Sequence, residues 1–291
     1  MRFPVILALA LALLSGSGAA RAACDVGPAA AAAANAASLT TLAWSPFRRP
    51  EVGWEIYAPR VAVEIGTICG PATPAFAAAL QRWQAANKMA PTGVLDIQTF
   101  SVMNTRWTLA RRFVQQTRGG ACPEPPAAAA LATASPAESY GGNTIQLRSD
   151  ALAQWRRLVT AIRHDNPGLA RDPRWLTIFS GFRLPLDDDV RCMIDNNCQG
   201  VTRANCSAHR TGLAMDVYVG QAEGLRPDSS DDANRRFMAS TTVYRWLVSN
   251  AGRFGFANYV FEPWHWEWND PATTPPAAPP AKAVAAAPPK R

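Results

Sequence analysis

Two short alternating runs in the C-terminal half constrain this chain more than any other feature. In the first, Leu213, Met215, Val217 and Val219 alternate with Ala214, Asp216 and Tyr218. In the second, Trp264, Trp266 and Trp268 alternate with His265 and Glu267. Successive side chains of a strand point to opposite faces. Each run is therefore expected as a strand whose apolar set faces a core. The other set faces away from it: Asp216 in the first run, His265 and Glu267 in the second. Ala214 is small enough to leave room for an ion beside Asp216.

The chain holds three histidines, His164, His209 and His265, so their placement is informative. His209 precedes Asp216 across Gly212, where the chain can turn. His209, Asp216 and His265 on facing strands would supply three ligands to one zinc ion and leave a fourth position for water. That is the open arrangement of a catalytic site, and zinc lowers the pKa of its water to about 7. Hydrolysis also needs a base to pass the proton of water to the leaving amine. Glu262, in a turn before Pro263, and Glu267, on the face of His265, compete for that role. Glu267 has the second option of orienting an imidazole. Arg183 follows a run from Trp175 that reads as a strand turning at Ser180-Gly181. Its forked cation suits a substrate carboxylate or a developing oxyanion.

Each residue alone has a plainer reading. Asp216 can cap a turn, His209 can be a surface histidine, His265 a satisfied core residue and Arg183 a surface charge. His164 fits a helix end, where a cation complements the dipole. The conjunction of the others is what points to chemistry.

The remaining sequence frames these runs. Leu152, Trp155, Leu158, Val159 and Ile162 form one apolar helical face. Tyr244 to Phe254 reads as a helix closed at Gly255. Strands and helices alternate irregularly, which implies an α+β fold with a small antiparallel sheet and flanking helices. Upstream, Thr73-Pro74 starts a helix with Phe76, Leu80 and Trp83 on one side. Pro91-Thr92-Gly93 breaks the chain, and Thr99, Phe100 and Met103 line a second helix. The expected organisation is a signal peptide at 1–22, an N-terminal segment at 23–60 and a small three-helix domain at 61–118. A Pro/Ala linker at 119–139, a second domain at 140–270 that carries the candidate zinc ligands and a disordered Pro/Ala tail at 271–291 follow.

Arg2, the apolar run from Val5 to Leu14 and Ala20-Arg21-Ala22 have the order of an export signal. The apolar run is shorter than the roughly 20 residues of a membrane span, and no other stretch qualifies. Arg21 stands where a lipidation motif needs Leu, which argues against lipidation of Cys24. The chain is thus expected to be secreted or periplasmic. Its six cysteines are expected in disulfides. Three lie up to Cys122 and three from Cys192 onward, so full pairing requires at least one bridge between the halves. The net charge of +7 comes from scattered residues. With export, this argues against nucleic acid; attraction to an anionic cell wall, or ordinary surface charge, accounts for it.

The motifs carry a resemblance. Ser180-Gly181-Phe182-Arg183, the stretch Ser207-Ala208-His209-Arg210-Thr211-Gly212-Leu213-Ala214-Met215-Asp216 and Glu262-Pro263-Trp264-His265-Trp266-Glu267 resemble those of the LAS metallopeptidases. That group includes D-alanyl-D-alanine carboxypeptidases of the vancomycin-resistance type. The likeness covers roughly residues 145 to 268. It implies one zinc ion on His209, Asp216 and His265, Glu262 as general base, Arg183 at the carbonyl oxygen and Ser207 near the substrate. Peptidoglycan stem peptides would be the substrate. Many relatives have Gln five residues after the motif arginine, where this chain has Asp188. Cys192 to Cys206 looks like an insertion, with a disulfide as a possible staple. Residues 80–84 and 92–99 are similar to small peptidoglycan-binding domains, which implies glycan-strand contact by the N-terminal unit. Cleavage of the L-Ala-D-Glu bond or of a cross-link is the alternative reading, and a non-catalytic zinc- or wall-binding module is another.

Overall fold

The computed structural model describes residues 23–194 and 206–269. The expected signal peptide and Pro/Ala tail lie outside the described residues, as does most of the Cys192–Cys206 segment. No helix among the described residues is long and apolar enough to cross a membrane.

The C-terminal half is a mixed structure built on a four-stranded antiparallel sheet. Its strands are β5 (Ile178–Ser180), β6 (Ala214–Val217), β7 (Phe256–Asn258) and β8 (His265–Trp268), in the order β5-β6-β8-β7. Both alternating runs become the central strands, and they pair with each other. Met215 lies opposite Trp266 and Asp216 opposite His265. The apolar set packs as expected: Met215, Val217, Val219, Trp264, Trp266 and Trp268 join one core. The helix α6 (Ser149–Asp165) lays Leu152, Trp155, Leu158 and Ile162 on this core, and α9 (Thr242–Asn250) adds Val243, Tyr244 and Leu247. A fully buried side chain of this size contributes about 1.5–3 kcal/mol. Thr241 caps the start of α9 by accepting from the Tyr244 N–H at 3.2 Å. Past its end, Gly255 adopts φ 81° and leaves room for the Trp268 indole, which a Cβ there would meet at 3.0 Å. His164 is exposed beside Asp165 in the last turn of α6.

Strand β7 was not expected from the sequence. Phe256-Ala257-Asn258 is too short to show alternation, and only its partner β8 defines it. The expected linker needs a correction as well. Within 119–139, Leu131–Thr133 forms β3 and pairs with β4 (Gln146–Arg148). Prolines and alanines around Leu131-Ala132-Thr133 hide a strand that exists through its pairing with Gln146–Arg148.

The N-terminal unit is larger than three helices. It comprises α1 (Ala29–Thr41), the hairpin β1 (Ala43–Trp44) and β2 (Glu51–Val52), α2 (Ala58–Glu64), α3 (Pro74–Ala86), α4 (Ile97–Ala110) and α5 (Arg112–Thr117). Residues 23–60 and 61–118 therefore share one body. Asn35, fully buried in α1, donates to the Gly93 carbonyl and accepts from the Leu95 N–H, each at 2.8 Å. Trp44, Trp54 and Tyr57 pack with Phe76, Leu80, Phe100 and Met103. As expected, Thr73 caps α3; Asp96 caps α4.

This body is welded to the C-terminal half. Val260 and Phe261, between β7 and β8, belong to its core. Arg235, on α8 (Asp232–Ser240), is completely buried. It donates to Tyr57 Oη at 2.6 Å, Glu51 at 3.1 Å and the Phe261 carbonyl at 2.8 Å. Cys24 is bonded to Cys69, and Cys122 to Cys206. The second bridge joins the two halves, as the cysteine count required. Cys206 therefore reaches outward to the N-terminal side. Cys192 is disulfide-bonded too.

Removing one member of a buried ion pair leaves the other charge uncompensated, at a cost of about 3–5 kcal/mol. Arg235→Met is expected to lower the unfolding free energy by that order. Urea denaturation followed by tryptophan fluorescence measures it; an unchanged midpoint would remove Arg235 from any role in holding the halves together.

Candidate metal centre and its cleft

The three candidate ligands converge because of register and one turn. Asp216 and His265 are cross-strand neighbours on the face of the sheet away from the tryptophan core. His209 arrives from a single helical turn, Ala208–Thr211. Ser207 caps that turn by accepting from the His209 N–H at 3.3 Å. Gly212 closes it at φ 67°, a left-handed conformation suited to glycine, and the chain enters β6. The His265 Nδ1 lies 2.9 Å from Asp216 Oδ1, and the His209 Nε2 lies 3.3 Å from Asp216 Oδ2 and 3.3 Å from His265 Nδ1. One ligand atom from each residue falls within 4.8 Å of the others, and all three residues are buried.

The outer nitrogens of both imidazoles are engaged. His209 Nδ1 donates to the Gly181 carbonyl at 2.7 Å, and His265 Nε2 donates to Glu267 Oε1 at 3.1 Å. With both rings neutral, as metal ligands are, these contacts leave the lone pairs on His209 Nε2 and His265 Nδ1, facing each other and Asp216. Such contacts are the usual supports of metal-ligating histidines. Two imidazole lone pairs and a carboxylate around one point fit a divalent cation.

The charges of the site diverge without an ion. Burial, aided by the Arg183 cation, lowers His209 to about 4 even though Asp216 pulls the other way. Burial also works against a charged His265, but hydrogen bonds to two carboxylates, Asp216 and Glu267, raise it to about 9. The difference follows from partners: His265 touches two carboxylates, whereas His209 touches one and a neutral carbonyl. Asp216 stays well below the carboxylate range; burial alone would raise it, and the two histidines outweigh that. Glu267 resists burial likewise and falls to about 2 through Arg111 and His265.

Arg183 follows β5. Its Nε donates to Asp188 Oδ1 at 3.1 Å, Nη1 to Ser180 Oγ at 3.1 Å and Nη2 to Ser207 Oγ at 3.0 Å. Asp188, on α7 (Pro185–Ile194), is buried. Burial raises its pKa against the pull of Arg183 and neighbouring arginines. Asp188 thus holds Arg183 by an ion pair. Glu262 sits on the turn between β7 and β8. The Glu262 N–H donates to the Tyr259 carbonyl at 2.8 Å, the His265 N–H to the Glu262 carbonyl at 3.0 Å, and Asn258 Nδ2 also reaches that carbonyl at 3.2 Å.

Six of the residues singled out from the sequence, His209, Asp216, His265, Glu262, Arg183 and Ser207, line one cleft of about 590 Å³. Glu267 lies beneath it, bound to His265 and Arg111. Arg111 and Tyr259 also line the cleft. Neither was found from the sequence: Arg111 sits at a helix junction far from every motif, and nothing local marks it.

Residues 193–271 match the VanY family model, D-alanyl-D-alanine carboxypeptidase. The match covers about a quarter of the chain and includes Ser207, His209, Asp216, Glu262, His265 and Glu267. It leaves out Arg183, Asp188 and the whole N-terminal unit. A comparison with curated proteins gives no match.

The raised pKa of His265 has a consequence for the ion-free protein. A group whose pKa rises on folding, here from 6.5 to about 9, contributes stability that is complete below the unfolded value and is lost as pH rises through the folded one. The urea midpoint of chelator-treated protein is expected to fall between pH 6.5 and 9.5, and His265→Gln is expected to flatten that decline. Equal slopes in the two proteins would contradict it.

Proposed function

We propose that this chain is an exported zinc peptidase that hydrolyses the D-alanyl-D-alanine bond of peptidoglycan stem peptides. The observation that carries the reading is the convergence of three ligand atoms within 4.8 Å in a cleft shared with Glu262 and Arg183. The match of this stretch to a D-alanyl-D-alanine carboxypeptidase family supports the substrate class, and the LAS-type motifs support the metal. Disulfides on both sides of the chain suit an oxidising compartment and the export signal read at 1–22.

His209 Nε2, Asp216 and His265 Nδ1 would hold the zinc ion. Bound there, zinc would supply Lewis-acid polarisation and acidify water to a pKa near 7. The chain's own residues do the rest. Glu262 takes the proton of the attacking water on its carboxylate and returns it to the leaving amine nitrogen. Glu267 is unsuited to that duty, because it lies buried beneath the cleft against Arg111 and His265. Arg183 has three of its five N–H donors committed to Asp188, Ser180 and Ser207. The remaining two can meet the oxygen of the scissile carbonyl, on which negative charge develops. Ser207 holds both Arg183 and the His209 backbone and so fixes the distance between the oxyanion donor and the ligand turn.

Glu262→Gln is expected to retain zinc and to lose about 10²–10⁴-fold in turnover of a D-alanyl-D-alanine peptide. Removing the metal with a chelator is expected to stop turnover, and zinc to restore it. Mass spectrometry of digested muropeptides reads the bond directly: release of a single alanine supports the carboxypeptidase, whereas separated cross-links or cleavage after L-alanine would replace it with an endopeptidase. Unchanged turnover by the glutamine variant would overturn the mechanism.

A further inference from the structure

We infer that Arg111, carried by the N-terminal helical unit, is a positioning residue for the metal ligand His265 and acts through Glu267. This inference rests on the metal reading above. It concerns a residue outside the stretch that matches the peptidase family.

Arg111 joins two helices. Its backbone is extended at φ −80°, ψ 118° between the end of α4 and the start of α5. Asn269, just past β8, clamps both sides of that junction. Its Nδ2 donates to the Ala110 carbonyl at 2.9 Å, and its Oδ1 accepts from the Arg112 N–H at 3.1 Å. The junction is therefore docked on the strand that carries His265 and Glu267, and the Arg111 side chain starts from a fixed point.

From there the guanidinium lies over the Tyr259 ring, 4.3 Å from its centroid. It directs both Nε, at 2.9 Å, and Nη2 to Glu267 Oε1. The same oxygen accepts from His265 Nε2 at 3.1 Å. Glu267 Oε2 is buried and has no hydrogen-bond partner among the described residues. The Arg111 and Glu267 side chains are 12% and 4% exposed, so water does little to stabilise this carboxylate. Without Arg111, and with His265 neutral as a metal ligand, it would be a buried charge with no cation in contact, an arrangement proteins avoid. Glu267 would have to move, and His265 would lose the acceptor that keeps its Nε2 protonated and its Nδ1 lone pair turned to Asp216 and His209. The helical unit thereby reaches the metal centre through a chain of two contacts.

The test is zinc affinity of the full-length protein, measured by competition with a chromogenic chelator, for wild type, Arg111→Met, Arg111→Lys, Glu267→Gln and the two double variants, with circular dichroism reporting the fold. Loss of a supporting partner of a metal ligand weakens binding by about 10–100-fold. Arg111→Met is expected to show a loss of that size, and Arg111→Lys, which keeps the charge but not the fork, a smaller one. Because Arg111 acts through Glu267, neither substitution should weaken binding further in the Glu267→Gln background. If Arg111→Met does not fold, the lysine variant carries the same comparison. Wild-type affinity in the Arg111 variants, or an equal loss with and without Glu267, would overturn the inference while leaving the metal reading intact. A wild-type chain that takes up no zinc would instead overturn the metal reading, and this inference with it.

Discussion

The pairing of β6 with β8 in a single register is the constraint on which the site depends. One set of cross-strand partners, Met215 and Trp266, lies in the core; the next, Asp216 and His265, lies in the cleft. A slip by one residue would turn every side chain to the other face. It would bury Asp216 among tryptophans and expose Met215. The apolar face thus enforces the geometry of the polar one, and core packing becomes the means by which a carboxylate and an imidazole are held 2.9 Å apart.

Holding them there is electrostatically demanding. Asp216 and Glu267 are both buried and both bonded to His265, and Glu262 lines the same cleft. Two arginines that line the cleft offset this concentration of negative charge. Arg183 arrives with its own anchors, Asp188, Ser180 and Ser207. Arg111 arrives from the helical unit and meets Glu267. A cation at His209, Asp216 and His265 would complete the balance, which is why the proposed metal and the arginines belong to one argument.

The helical unit braces three of the segments that carry candidate residues: the turn of Glu262, the turn of Ser207 and His209, and β8. Its core takes in Phe261, beside Glu262. The Cys122–Cys206 bridge anchors the residue before Ser207 and its helical turn. Asn269 and Arg111 fasten the end of β8. An appended domain that merely tethered an enzyme to its substrate would need none of these contacts.

The sequence by itself determined the two central strands and the faces their residues would take, and it singled out six of the residues that line the cleft. Alternation is local, so Leu213–Val219 and Trp264–Trp268 could be read one residue at a time. It also required a bridge between the halves, because cysteines can be counted. It left Glu262 and Glu267 equivalent by spacing, and it carried no sign of β3, β7, the role of Asp188 or the approach of Arg111. Those were decided only in the tertiary structure. A strand of three residues exists through its partner, and a salt bridge between positions 111 and 267 exists through the docking of two bodies; neither leaves a periodic trace in the chain.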